Sequence, residues 1–149
     1  MWAGSYVDAA RAIDAALTGA AALAPGQIDR AGDGTLIGYS NGAYFAAEVA
    51  CAQQGRWPGL VLLSMKVDLD PARLKKAGVR RVLLGAGDRD GASASMKAAS
   101  ERLLSGGVQA RFMSLGPGGH EFPADIGARM CEAVAWVRYQ AAGVCTPRP

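Results

Sequence analysis

The stretch that decides the fold is Gly38-Tyr39-Ser40-Asn41-Gly42. A short apolar run typical of a strand, residues 35–37, precedes it, and residues 41–54 have the apolar spacing of a helix. A chain that turns this abruptly from strand to helix holds Ser40 in a strained backbone conformation and exposes its hydroxyl. The glycines two residues before and after Ser40 would remove side chains that otherwise collide across the turn. The stretch therefore predicts an exposed serine at a strand-to-helix turn.

Strands and helices alternate along the whole chain. Short apolar runs predict further strands, and three-to-four apolar spacing with helix-end residues predicts helices. The expected strands are 59–64, 79–84 and 108–115, and the other expected helices are 7–22, 71–77, 92–105 and 125–139. This alternation predicts an α/β fold: a parallel sheet of about four strands with helices on both faces. The 149 residues are expected to form a single domain, 1–149.

Residues that follow the strands are the candidates for a functional site, because sheets of this kind bind ligands beyond the carboxyl ends of their strands. After the first, third and fourth expected strands these positions hold Ser40, the pair Asp88 and Asp90, and His120. A serine hydroxyl becomes a good nucleophile only with a base within hydrogen-bond reach. A histidine that serves as this base needs a carboxylate to orient it and to stabilise its imidazolium. The strand ends therefore carry all three residue types of a nucleophilic site.

Three segments resemble those of an α/β-hydrolase, in the order serine, aspartate, histidine that this superfamily uses. Residues 38–42 are similar to its nucleophile elbow, residues 87–90 resemble its acid loop, and residues 118–120 resemble its histidine loop. The resemblance runs from Val7 to Tyr139 and is to the C-terminal portion only. It implies a serine esterase that hydrolyses a small carboxylic ester, with no metal or organic cofactor. A peptidase or amidase of the same fold would share every one of these residues.

The resemblance also implies a role for individual residues. Ser40 would be the nucleophile, His120 the general base and Asp90 the acid of a catalytic triad. Asp90 is preferred to Asp88 because the acid loop of the family places its aspartate three residues after the glycine; Asp88 is the alternative. The N–H of Asn41, at the positive end of a helix, would donate to the oxyanion.

Simpler interpretations of the same residues stay open. Ser40 could cap the helix that begins at Asn41, and Asp90 could cap the helix that begins near Ala92. His120 could be a solvated loop residue. Each of these interpretations is local, so only the distances between the three side chains can decide among them.

The position of Ser40 departs from the family pattern. A complete α/β-hydrolase has several strands before its elbow, whereas here one predicted helix precedes it, and no His-Gly or Gly-Gly segment before Ser40 could supply a second oxyanion donor. The first strand would then leave one edge unpaired. We expect an N-terminally truncated domain. In one interpretation, this domain is a catalytically impaired fragment of an α/β-hydrolase. The alternative is a genuine short form or non-catalytic interaction module that self-associates, or binds another protein, through this open edge.

Composition limits the partners and the compartment. Apolar residues make up 50% of the chain, charged residues 19%, and the net charge is only +3, so no concentrated basic surface for nucleic acid is expected. No apolar run approaches the roughly 20 residues that span a membrane. A metal site is not expected because His120 is the sole histidine, and Cys51 and Cys131 are expected on helix faces rather than in a disulfide framework. Acidic residues near the N-terminus argue against a signal peptide, and the compartment stays open.

Overall fold

The computed structural model describes residues 5–26, 34–66 and 68–139. Its strands are β1 (Thr35–Tyr39), β2 (Gly59–Leu63), β3 (Arg81–Ala86) and β4 (Gln109–Ser114). They form one parallel sheet in the order β1-β2-β3-β4, in which Thr35 lies opposite Gly59, Gly59 opposite Arg81, and Arg81 opposite Gln109. The expectation of an α/β fold with a parallel sheet of about four strands is confirmed.

Five helices complete the described part of the chain. They are α1 (Tyr6–Leu23), α2 (Asn41–Ala52), α3 (Pro71–Lys76), α4 (Ser93–Ser105) and α5 (Ile126–Tyr139). Local chemistry explains where two of them begin. The side chains of Ser5 and Asp8 form a capping box at the start of α1, and Asp70 caps α3 just before the proline at its first position.

The helices cover both faces of the sheet, as expected. One face, with Leu62 and Leu84 at its centre, packs against α2 and α4, and α1 lies on α2. The other face, with Val61 and Leu83, packs against α5. All five residues of β2 are buried, which explains why its sequence is continuously apolar rather than alternating. Each of its leucines stabilises the fold by about 1.5–3 kcal/mol relative to an exposed position.

All four strands have ends that differ from those expected, and hydrogen bonding explains two of the differences. β1 continues through Gly38 and Tyr39, because these residues pair with Leu62 and Leu63 of β2. β3 begins at Arg81 instead of at residue 79, since the N–H groups of residues 79 and 80 donate to the carbonyls of Leu74 in α3 and of Pro58 before β2. In both cases the pairing partner, and not the local apolar run, sets the end of the strand.

One edge of the sheet carries little protection. Among residues 5–26, 34–66 and 68–139, β1 pairs with β2 alone, so its other edge has no strand beside it. Ile37 in the middle of β1 is 51% exposed. The expected open edge is therefore present in the described structure. No helix in the described part of the chain is long and apolar enough to cross a membrane.

The described cysteines differ in their chemical state. Cys51 on α2 is a free thiol, and burial raises its pKa. Cys131 lies on a helix, α5, as expected, but it is disulfide-bonded, so the expectation that it forms no disulfide is wrong. Disulfides depend on the distance between cysteines in space, which sequence spacing does not provide. Cys145 lies outside the described residues.

Candidate active site

The turn after β1 has the strained geometry that its sequence predicts. Ser40 adopts φ 52° and ψ −123°, a conformation that side-chain-bearing residues rarely occupy. Its N–H donates to the Leu63 carbonyl of β2 at 2.8 Å, and its carbonyl accepts the Ala43 N–H of α2 at 3.0 Å. Its side chain makes no helix-capping hydrogen bond, so the interpretation of Ser40 as a side-chain cap is wrong. The backbone at both sides of the turn therefore holds the hydroxyl away from the helix it precedes.

The two glycines of the turn are not equivalent. A Cβ on Gly38 would lie 2.3 Å from the Gly42 carbonyl oxygen and 2.5 Å from the Cα of Ala43, so only glycine fits there. A Cβ on Gly42 would meet no atom within 4 Å. The expectation of a collision is thus correct for Gly38 and wrong for Gly42. Gly42 lies in the first turn of α2, where an added Cβ would point into open space.

The structure brings three of the sequence-predicted side chains into one hydrogen-bonded chain. The Nε2 of His120 lies 3.0 Å from the Oγ of Ser40, and its Nδ1 lies 3.0 Å from Oδ2 of Asp90. The Asp90 side chain is only 4% exposed, whereas that of His120 is 52% exposed. An ionised carboxylate can only accept, so the Nδ1–H of His120 donates to Asp90 and Nε2 accepts the Ser40 hydroxyl. The hydroxyl thus has a base in hydrogen-bond reach.

Asp90 is held in its ionised form. Burial disfavours the charged carboxylate and by itself would raise its pKa. The Ala92 N–H, which donates to Oδ1 at 2.9 Å, opposes this effect, as do the side chains of Ser64 and His120. Together these groups hold the pKa of Asp90 below its ordinary value. Asp90 thus caps the start of the segment leading to α4 with one oxygen and contacts His120 with the other.

The alternative acid, Asp88, faces a different residue. Its Oδ1 accepts the hydroxyl of Ser114, at the end of β4, at 2.5 Å. The same Ser114 oxygen accepts the Gly116 N–H at 3.0 Å. Within the described ranges, no hydrogen bond joins Asp88 to His120. The structure therefore places Asp90, and not Asp88, at the histidine.

The loops that carry Asp90 and His120 are joined by backbone contacts. The N–H of Asp88 donates to Gly116 at 2.8 Å, and the N–H of Arg89 donates to Gly118 at 3.0 Å. This approach requires Gly87, because a Cβ there would lie 2.4 Å from the Gly118 carbonyl oxygen. The contacts fix the separation of the two loops and, with it, the distance between the carboxylate and the imidazole.

Aromatic residues beside the histidine were not anticipated from the sequence. The ring of Tyr39 lies 5.2 Å from the imidazole of His120 and 4.3 Å from the ring of Phe122. Burial, followed by the charge of Asp90, raises the pKa of Tyr39. Position 39 is variable in the Gly-x-Ser-x-Gly pattern, so that pattern holds no signal for it. Tyr39 therefore lies beside the imidazole, with the two ring planes 39° apart.

Ser40, Asp90 and His120 border an open cleft of about 630 Å³ at the carboxyl end of the sheet. Ser40, Asn41 and His120 line it, together with Ser64 and Lys66 from the segment after β2. As the first residue of α2, Asn41 has an N–H with no carbonyl one turn before it in the helix. The cleft therefore combines a serine–histidine–aspartate chain with a helix N-terminus suited to a developing negative charge.

Comparisons with known proteins identify the fold. Neither a protein family nor a curated protein matches the sequence. Among solved structures, the chain is similar to esterase PE8, with 22% identity over 89% of this chain and a TM-score of 0.63. It is also similar to a Bacillus cereus carboxylesterase, with 20% identity over 87% of this chain and a TM-score of 0.56. A third similar structure is an S-formylglutathione hydrolase from Staphylococcus aureus, with 15% identity over 89% and a TM-score of 0.60.

These similarities define a class of fold. The chain has an α/β-hydrolase fold. It spans 61–62% of the length of the three solved chains.

Proposed function

We propose that the protein is a serine hydrolase that cleaves small carboxylic esters, with Ser40 as nucleophile, His120 as general base and Asp90 as the orienting acid. The observation that carries this proposal is the unbroken chain of contacts between the three side chains, 3.0 Å at each step. The esterase and hydrolase structures of similar fold support the same reaction class. We further propose that the chain corresponds to the C-terminal portion of such a hydrolase.

The geometry defines the proton path of the proposed reaction. Oγ of Ser40 attacks the ester carbonyl while Nε2 of His120 accepts the hydroxyl proton. The imidazolium that results is stabilised by the Asp90 carboxylate at Nδ1 and then protonates the departing alcohol. A water molecule, deprotonated by the same Nε2, attacks the acyl-serine and releases the carboxylic acid and free Ser40. No step in this sequence requires a metal or an organic cofactor.

The oxyanion of the tetrahedral intermediate would form beside Asn41. Its N–H, at the start of α2, is the donor that the described residues offer next to Ser40. Loss of one oxyanion donor typically lowers turnover about 10²–10³-fold. We therefore expect slow turnover for the 149-residue chain unless a second donor is supplied to the cleft. The same donor serves the tetrahedral intermediates of acylation and of deacylation, so both steps should be slow.

Labelling with a fluorophosphonate tests the nucleophile directly, because this probe reacts with an activated serine without requiring efficient turnover. We expect a single label on Ser40, located by mass spectrometry of the folded protein, and none in Ser40→Ala. Heat-denatured protein is the control for non-specific labelling. Folded wild-type protein that stays unlabelled would contradict the proposal and would favour a non-catalytic interaction module.

Competing ester and amide substrates test the leaving group. For the proposed esterase, kcat/KM for a p-nitrophenyl ester should exceed that for the matched p-nitroanilide by several orders of magnitude. A comparable or greater value for the anilide would instead indicate an amidase or peptidase with the same site. Ser40→Ala should abolish whichever activity is measured.

A further inference from the structure

The end of β2 repeats the backbone geometry of the nucleophile turn. Ser64 follows β2 directly, as Ser40 follows β1, and the two have φ values of 54° and 52°. They are the non-glycine residues with positive φ in the described part of the chain. The Ser64 N–H donates to the Gly85 carbonyl of β3 at 2.8 Å, as the Ser40 N–H does to the carbonyl of Leu63. Two adjacent strands thus end in equivalent, strained serines.

Ser64 differs from Ser40 in its burial. It is 2% exposed, and its hydroxyl makes no hydrogen bond of normal geometry with any residue that the structure describes. A buried unpaired hydroxyl and a positive φ each reduce stability, and such features are typical of functional sites. The stability lost at Ser64 therefore indicates that a neighbouring group uses its hydroxyl.

The side chains of Asp90 and Tyr39 lie close enough to Ser64 to interact with its hydroxyl. The Ser64 hydroxyl contributes to the lowered pKa of Asp90, and it opposes the burial and negative charge that raise the pKa of Tyr39. Asp90 and Ser64 also border the same cleft. The ionised carboxylate of Asp90 is the stronger acceptor of the two, since hydrogen bonds to charged groups are shorter and stronger than those to neutral ones.

We propose that Ser64 is a positioning residue whose hydroxyl donates to the carboxylate of Asp90. The carboxylate would then be held by three donors: the Ala92 N–H, the Nδ1–H of His120 and the Ser64 hydroxyl. The contact is loose in the free protein and tightens when His120 takes up the serine proton, as hydrogen bonds of catalytic sites often do. Ser64 acts through Asp90 and does not touch the substrate. The catalytic consequence rests on the proposed function.

A pair of substitutions separates the hydroxyl from the strained backbone. Ser64→Ala removes the hydroxyl and retains the Cβ, whereas Ser64→Gly removes the hydroxyl and accepts a positive φ without strain. If the hydroxyl matters, both variants lose about tenfold in kcat or in the fluorophosphonate labelling rate, with KM unchanged. Ser64→Gly keeps the experiment informative if Ser64→Ala folds poorly. A full rate in a folded Ser64→Gly would overturn the proposal.

Combination with Asp90→Asn distinguishes positioning from a general structural role. Because Ser64 acts through the carboxylate, Ser64→Gly should reduce the rate in the wild-type background and have no further effect in Asp90→Asn. Equal losses in both backgrounds would show that Ser64 acts independently of Asp90 and would overturn the proposal.

A measurement that needs no turnover separates this inference from the proposed function. His120 is the sole histidine, so its ring N–H proton is assigned by NMR without ambiguity. We expect this proton to exchange faster with water in Ser64→Gly than in wild type, and the effect to vanish in Asp90→Asn. An unlabelled wild type that still shows this coupling would refute the hydrolase and retain the Ser64–Asp90 contact. If wild type is labelled but shows no coupling, and Ser64→Gly retains the full rate, the hydrolase stands and the Ser64–Asp90 contact is refuted.

Discussion

Ser40 and Ser64 share a backbone conformation and a place at the end of a strand, yet their surroundings give them different chemistry. Helix α2 begins immediately after Ser40, so the N–H of Asn41 lies beside its hydroxyl. After Ser64 the next helix, α3, begins only at Pro71. Ser40 faces the imidazole, whereas Ser64 is buried near the carboxylate. An identical local geometry therefore does not define a nucleophile; the neighbouring base and oxyanion donor do.

Removal of the two hydroxyls should have very unequal effects. Ser40→Ala should lower kcat/KM for an ester by about 10⁴-fold or more, because in the described structure Ser40 is the hydroxyl hydrogen-bonded to Nε2 of His120. Ser64→Ala should cost only about tenfold, as argued above for the loss of one hydrogen bond to a charged group. Circular dichroism of both variants controls for folding. Losses of equal size would contradict the different roles assigned to the two serines.

The proposed role of the Asp90 carboxylate can be tested against Asp88, its neighbour in the loop. Asp90→Asn should lower kcat by about 10⁴-fold, because an amide favours the wrong imidazole tautomer. Asp88→Asn is the matched control: it changes a carboxylate that bonds to Ser114, and we expect less than about a threefold change. Steady-state ester hydrolysis measures both. The reverse order of effects would assign the acid to Asp88.

The turn that presents Ser40 should depend on one of its glycines only. Gly38→Ala should reduce the free energy of unfolding by about 2–4 kcal/mol, since the new Cβ would overlap backbone atoms of α2. Gly42→Ala, in the open first turn of that helix, should be neutral or stabilising by up to about 1 kcal/mol. Urea unfolding compares the two. Similar destabilisation by both alanines would show that the space beside Gly42 is filled.

The smallest expected effect is a dependence of stability on acid pH. The pKa of Asp90 is lowered in the folded state, so its contribution to stability is fully present above the unfolded pKa of about 3.9. This contribution is lost as the pH falls through the lower folded value. The pKa of Glu48, held down by its hydrogen bonds from Arg73, acts in the same direction. Unfolding free energies measured between pH 5 and 2 (roughly the range of acid loss) should fall less steeply in Asp90→Asn than in wild type.

Local patterns in the sequence were sufficient for the elements and for the turn at Ser40. Apolar runs and helix-end residues depend on neighbours within a few positions, which is why the expected strands and helices all occur in the described structure. The collision expected at Gly38 is also local, because the turn brings residues four apart together. The same reasoning was wrong at Gly42, where the direction of the Cβ depends on how α2 leaves the strand.

Contacts between distant residues were decided by the tertiary structure alone. The choice between Asp88 and Asp90 depends on how the loops after β3 and β4 dock, which Gly87 and the backbone bonds to residues 116 and 118 control. The disulfide state of Cys131 is likewise a matter of spatial distance.

The sequence by itself therefore determined an alternating parallel fold and a serine held in a strained turn after its first strand. Only the tertiary structure decided which carboxylate meets His120, which aromatic ring lies beside it, and that Ser64 is buried near Asp90. The physical reason is that backbone propensity acts over a few residues, whereas hydrogen bonds among side chains 30 to 80 positions apart exist only after the sheet has set the strand ends side by side.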